Sequence, residues 1–304
     1  MKIRANGNDI EVEDSGPGAP GEQRPAVLLV MGLGMQLIEW PPELVQALLD
    51  AGYRVIRHDN RDVGLSQHFD ELGKPNLLWA GIEYKLGLAP RAPYSVRDMA
   101  DDALGVLDAL NLGQAHVVGV SMGGMIAQHM ALAAPQRLLS LSSVSSSSGA
   151  KGLPSPTPEV TRVLLSHPSG RNAPAVVEHY VQLYQAIGSP AYPTPAAELR
   201  ARMLRSVARS FHSVGTLRQM VAVMADISRA TQLSRISTPT LVLHGRADPM
   251  VPYACAEDTA RRIPGAKLVG IPGMGHDLPA ALLAQLLSHL IPHFQSAQPR
   301  ANAL

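Results

Sequence analysis

The chain has few means of stapling itself together. One of its 304 residues is cysteine, Cys255, so neither an intrachain disulfide nor a multi-cysteine metal site can form. Aromatic residues make up 4%, with only three Phe, and no run approaches the roughly 18 apolar residues of a membrane span. Neither sign of charge is in excess. Lys plus Arg total 26 against 25 Asp plus Glu, a net +1, which excludes the basic field of a nucleic-acid binder or of a protein drawn to anionic membranes. The opening MKIRANGNDI lacks the apolar stretch of about 7–15 residues that marks a secretory signal. These absences lead to the expectation of a cytoplasmic protein with a small-molecule partner, no nucleic acid and no membrane. The sequence is silent on oligomeric state.

What is present is alternation. Segments 3–5 and 10–13 flank NGND and predict a hairpin, because Asn-Gly supplies the positive φ of a tight turn. Unbroken apolar runs follow: AVLLVM, YRVIRHD, AHVVGV, LLSLSSV, PTLVLH and AKLVGI. Each is short and bounded by turn residues, as in strands buried on both faces of a parallel sheet. Helical patterns lie between them at 36–51, 95–111, 121–134, 255–263 and 278–294, the second opening with Ser95 and Asp98 in near capping-box spacing. Strand and helix in alternation build right-handed βαβ units, and so an α/β fold with a mostly parallel open sheet flanked by helices. The alternation stops between about 146 and 235, where a serine run (Ser145 to Ser148) and eight prolines punctuate helices with no clear strand. The expected organisation is a core domain formed by 1–145 and 236–304, with an inserted helical cap at 146–235.

The chemistry centres on GVSMGG. Gly119, Ser121 and Gly123 match GxSxG at the junction of the strand AHVVGV and the helix MGGMIAQHMALAA. Acyl transfer needs a serine presented on a sharp strand-to-helix turn, with glycines where backbones pass close together. The plain alternative is a serine N-cap whose glycines serve packing. Two further residues argue against that alternative. Asp248, in PTLVLHGRADPMVP, stands just past one strand end, and His276, in LVGIPGMGHDLP, just past the next. Nucleophile, acid and base in the order Ser, Asp, His match the triad order of this architecture. Backbone N–H groups of Met122 and of Leu33, in the turn MGLG after AVLLVM, are the expected oxyanion donors. Taken singly, Asp248 reads as a turn residue, His276 as a helix cap and MGLG as an ordinary strand-to-helix turn.

At these residues the sequence resembles the α/β-hydrolase superfamily, and in particular its bacterial serine esterases of the aclacinomycin methylesterase kind. The stretches that carry the resemblance are VMGLGMQLIEWPPELV, RVIRHDNRDVGLS, VVGVSMGGMIAQHMAL, LVLHGRADPMVPY and IPGAKLVGIPGMGHDLP; the segment between about 145 and 236 matches much less. The resemblance implies an eight-stranded core and cofactor-free hydrolysis of carboxylic esters. It also implies a substrate pocket between core and cap, and a supporting role for DNRDVGLS beneath the oxyanion loop. Many members carry His-Gly where this chain has Met31-Gly32, a departure that removes a side-chain hydrogen bond and keeps the backbone donor at Leu33. Lactonases and C–C bond hydrolases use the same constellation, and a ligand-binding module with little turnover is the non-enzymatic alternative. A serine at position 121 sets the chain apart from dehalogenases and epoxide hydrolases, whose nucleophile is a carboxylate.

Gly32, Met31, Met250 and Met274 are the expected substrate contacts, because methionines gather near the catalytic stretches and unbranched thioethers repack cheaply around an apolar guest. His289 and His293 have the i, i+4 spacing of a helical metal pair without an evident third ligand. Asp101 with Asp102, and the basic stretch Arg200, Arg202, Arg205 and Arg209, read as solvated helix faces. Neither a metal nor a cofactor is expected; Gly32 and Gly34 lack the rest of a dinucleotide fingerprint.

Overall fold

In a computed structural model of the chain, which describes residues 1–19, 24–170 and 172–297, the predicted strands join into one eight-stranded sheet. β1 (Lys2–Ala5) and β2 (Asn8–Asp14) pair antiparallel around Asn6-Gly7, both at positive φ as a primed two-residue turn requires. The other strands are β3 (Ala26–Val30), β4 (Arg54–His58), β5 (Ala115–Val120), β6 (Leu138–Val144), β7 (Thr240–Gly245) and β8 (Lys267–Ile271). From β4 to β8 the neighbours run parallel, in the overall order β1-β2-β4-β3-β5-β6-β7-β8. The chain moves outward from β3 to β4 and then returns to place β5 on the other side of β3. This reversal opens a crevice at the carboxyl ends of β3 and β5, where open α/β sheets bind ligands.

Both sheet faces are covered, which explains why the strands read as apolar without alternation. On one face Val27 and Leu29 of β3 meet Leu44 and Leu48 of α1 (Pro42–Asp50) and Leu286, Leu290 and Phe294 of α10 (Leu283–Ala297). Their neighbours Leu28 and Val30 point the other way, onto Met99 and Val106 of α3 (Val96–Ala109) and Ile126 and Met130 of α4 (Met122–Ala133). The capping box at Ser95 and Asp98 is complete. The continuous helix expected over 36–51 is instead a single 3-10 turn followed by α1, because Pro41 and Pro42 fit only at a helix start. α2 (Leu77–Lys85) went unpredicted: LLWAGIEYK has apolar residues on nearly every side, so it lacks the division into an apolar and a polar half that marks a helix in sequence. Among the described residues no helix is long and apolar enough to cross a membrane.

Between β6 and β7 the described residues form α5 (Pro158–Leu165), α6 (Ala173–Ile187), α7 (Ala196–Arg209) and α8 (Ser213–Ala225), with two short 3-10 turns and no strand. The insertion has a small apolar core of its own, including Val160, Val177, Val181, Leu199 and Met203. Buried charge joins it to the rest of the chain. Arg218 of α8 and Asp62 of the loop after β4 are both fully buried, 2.7 Å apart. Arg209 reaches Asp59 at 2.7 Å and Gln36 at 2.6 Å, and Arg202 lies 3.2 Å from the buried Glu39. The basic stretch is therefore only half solvated. Arg202, Ser206 and Arg209 recur on the inward side of α7, whereas Arg200 is exposed and pairs with Glu178. The aspartate pair divides likewise. Asp101 is solvated and paired with Arg97, but Asp102 is buried, holding Arg61 through two hydrogen bonds and accepting from Asn6 and Asn8.

Burial alone would push the Asp62 carboxyl up, but hydrogen bonds from Arg218, the Phe69 N–H and Tyr94 bring it below the usual carboxylate range. Its ionised form thus stabilises the fold above that range, and the contribution is lost as pH falls through the depressed folded value. Asp62→Asn strands a buried guanidinium and should cost about 3–5 kcal/mol in urea unfolding at neutral pH. The gap to the unsubstituted protein should narrow as the titration is carried into acid; a gap that is small, or unchanged by pH, would contradict this account.

Candidate active site

Ser121 closes β5 and opens α4 at φ 56°, ψ −119°, a conformation that L residues seldom adopt and that surrounding contacts must enforce. Two hydrogen bonds do so here. The Ser121 N–H donates to the Val144 carbonyl at 2.9 Å, and the Ser146 hydroxyl donates to the Ser121 carbonyl at 2.7 Å. The flanking glycines let the turn close, since a Cβ on Gly119 would overlap the Gly123 carbonyl and one on Gly123 would overlap the Val30 carbonyl. Gly32 also passes close, though less tightly: an added Cβ there would lie 3.3 Å from the Ser121 Cβ. The turn MGLG and the serine turn are thus in direct contact at the crevice between β3 and β5.

Asp248 lies beyond the end of β7, buried, and its Oδ1 accepts from the N–H groups of Met250 and Val251 at 2.9 and 2.8 Å. Its Oδ2 accepts from His276 Nδ1 at 2.7 Å, and His244 Nε2 stands 3.3 Å away. Burial raises this carboxyl's pKa, but the charge interaction with His276, helped by His244, outweighs it and holds the group well below the usual range. With Nδ1 donating to the carboxylate, His276 Nε2 is free to accept from the Ser121 hydroxyl, 3.1 Å away. Three residues predicted on three separate elements therefore form one hydrogen-bonded line.

The helical insertion braces both loops of this site. The His276 N–H donates to the Ile187 carbonyl at the end of α6 (2.8 Å), and the Gly275 N–H donates to the Ser189 hydroxyl (2.9 Å), which donates to Asp277 (2.5 Å). On the other side, the buried Gln219 of α8 accepts from the Gly34 N–H and donates to the Arg61 carbonyl, each at 2.8 Å. Asn60 donates to the Met31 carbonyl at 3.0 Å, tying DNRDVGLS to the base of the MGLG turn. Of these supports only DNRDVGLS was singled out in the sequence. Gln219, Ser189 and Ser146 lie in or beside the weakly patterned insertion, where no spacing marks them.

The predicted substrate contacts separate. Gly32 is at the serine and Met250 packs against the insertion's apolar cluster, as does Met35. Met31 and Met274 do not face that seam. Both are buried in the sheet core on the α1 and α10 side, because strand-end side chains take the face their register dictates. Met122 is likewise in the core, leaving its backbone as the part near the serine. His293 contacts the Leu141 carbonyl at 3.2 Å and lies with its ring tilted against Phe294, a packing role beneath the sheet.

Residues 25–279 match the family model described as alpha/beta hydrolase fold. The chain is 30% identical over 309 residues to the rhodomycin D methylesterase DauP of a Streptomyces species, covering 95% of this chain and 97% of that one. It is also 30% identical over 317 residues to the rhodomycin D methylesterase DnrP of Streptomyces peucetius, covering 98% and 99%. Among solved structures, a meta-cleavage product hydrolase from Pseudomonas fluorescens superposes with a TM-score of 0.74 at 21% identity, covering 98% of each chain. In sheet order, in the site at its switch point and in near full-length similarity, the chain belongs to the α/β-hydrolase fold family.

Proposed function

We propose that the chain hydrolyses small-molecule carboxylic esters by acyl transfer through Ser121. The observation that carries this reading is the line from Asp248 through His276 to a serine hydroxyl held at positive φ in the sheet's crevice. In the first half-reaction His276 Nε2 takes the Ser121 proton as the oxygen attacks the ester carbonyl, and the N–H groups of Leu33 and Met122 receive the developing oxyanion. The same imidazolium then gives its proton to the departing alcohol. In the second half-reaction a water deprotonated by His276 attacks the acyl-enzyme, and as the Ser121–acyl bond breaks the imidazolium returns the proton to Ser121 and the acid leaves. Asp248 remains ionised throughout, fixes the tautomer and stabilises the imidazolium.

The relatives named as methylesterases, aligned end to end with this chain, support a small alkyl alcohol as leaving group. Residues 146–235 act in this reading as a cap that closes the acyl pocket and holds the two loops of the site, with Met35 and Met250 on its apolar lining.

Ser121→Ala should lower kcat by the order of 10⁶-fold while the thermal melt stays near that of the unsubstituted protein. Asp248→Asn should lose about 10⁴-fold through the wrong tautomer. Methyl and ethyl esters with a common acyl group are the assay, and more than a tenth of the activity surviving in Ser121→Ala would remove the nucleophile assignment.

Gln219 is a positioning residue in the same scheme, because it holds the Gly34 N–H next to the Leu33 donor. Gln219→Met should lower kcat about tenfold or more with KM little changed, since an oxyanion donor is used chiefly in the transition state. A loss confined to KM would instead place Gln219 in substrate binding.

A further inference from the structure

α2 is left without a partner for most of its surface. It packs against α8, and Ala80 is its only buried residue. Leu78 (77% exposed), Trp79 (59%), Ile82 (41%) and, one residue past the helix, Leu86 (71%) recur at i, i+3 and i+4 spacing, so they form one outward stripe. Tyr84 (52%) lies on the opposite side of the helix, beside Ala80, and Leu88 (56%) lies in the loop beyond it; neither belongs to the stripe. At about 200 Å² for a fully exposed large side chain, the four leave roughly 500 Å² of apolar surface in water. That is in the upper part of the ~300–600 Å² range of the largest patch on a typical monomer. Two such stripes face to face bury about 1,000 Å² in all, the least that a specific interface needs. On the helical wheel Glu83 borders one side of the stripe and Lys85 the other, and among the described residues neither forms an ion pair.

We infer that α2 is a homodimer surface, the stripe of one copy meeting the same stripe of a second. A two-fold axis running along the helix turns the Glu83 flank of each copy toward the Lys85 flank of the other, so the patch is complementary to itself in charge as well as in polarity. A lipid surface fits less well, because α2 is only nine residues long and has no broad cationic face opposite an apolar one. The interface would lie one helix away from the loops of the site, since α8 separates α2 from Gly34 and Arg61.

Sedimentation velocity on the full chain across the micromolar range tests this. The expected result is a species of twice the 32.4 kDa chain mass. Leu78→Glu with Ile82→Glu should give a monomer with an unchanged circular dichroism spectrum, because both side chains are exposed. Should that variant fail to fold, a charge swap keeps the question open to refutation. Glu83→Lys should weaken the dimer about tenfold, and Glu83→Lys combined with Lys85→Glu should restore it. A 32.4 kDa species at every concentration, or a dimer indifferent to the glutamate and charge-swap variants, would overturn the inference. So would flotation of a monomer with phosphatidylcholine and phosphatidylglycerol vesicles.

Discussion

The Asp62–Arg218 pair, with neither side chain exposed, joins the loop after β4 to α8, and the remainder of the site depends on that junction. A buried guanidinium tolerates little displacement from its carboxylate, because separation would strand two desolvated charges. α8 is thereby fixed in rotation, which presents Gln219 to Gly34 and Arg61 and packs Thr216 against Gly34, whose Cβ would come within 2.9 Å of it. The Arg209 to Asp59 and Arg202 to Glu39 pairs do the same for α7. Apolar packing alone would hold the insertion, but it is non-directional and would allow sliding. Directional charge fixes the register.

The insertion in turn holds both the MGLG turn and the loop bearing His276, so the candidate site belongs to neither part alone. His276 hangs from the end of α6 through its backbone N–H, and the turn bearing Leu33 is tied to α8 through Gly34. The strained conformation of Ser121 has its own supports within the sheet, from Val144 and Ser146. Ser121, His276 and the turn bearing Leu33 therefore rest on three different foundations, and the distance of 3.1 Å between Ser121 and His276 is set where these meet. In the proposed acyl transfer, small displacements at such a junction would be costly in rate, because the reacting groups must already stand in near-attack geometry.

The electrostatics of the site follow from the same economy. Asp248 gives one oxygen to two backbone N–H groups and the other to His276, so a carboxylate that burial would neutralise stays charged beside the imidazole. A second buried carboxyl, Glu39, shows the opposite balance. Burial dominates there and raises its pKa despite Arg202, in keeping with a structural place at the seam between core and insertion.

The sequence by itself determined the α/β alternation, the sheet's strands and the three residues of the hydrogen-bonded line. These are local signals: unbroken apolar runs, Asn-Gly at the hairpin, and a glycine-flanked serine at a strand end each carry their physics within a few residues. It also located the turn MGLG, because glycines directly after an unbroken apolar run mark a strand-to-helix turn locally. What only the tertiary structure decided is which side chains of patterned stretches turn inward. Arg202, Arg209 and Asp102 looked solvated because a charged helix face reads the same whether it meets water or a buried partner far along the chain. Met31 and Met274 looked like pocket residues because proximity in sequence to a catalytic loop does not say to which face of the sheet a side chain points. Gln219 and Ser189 left no trace at all, since a hydrogen bond across more than eighty residues has no periodicity to announce it.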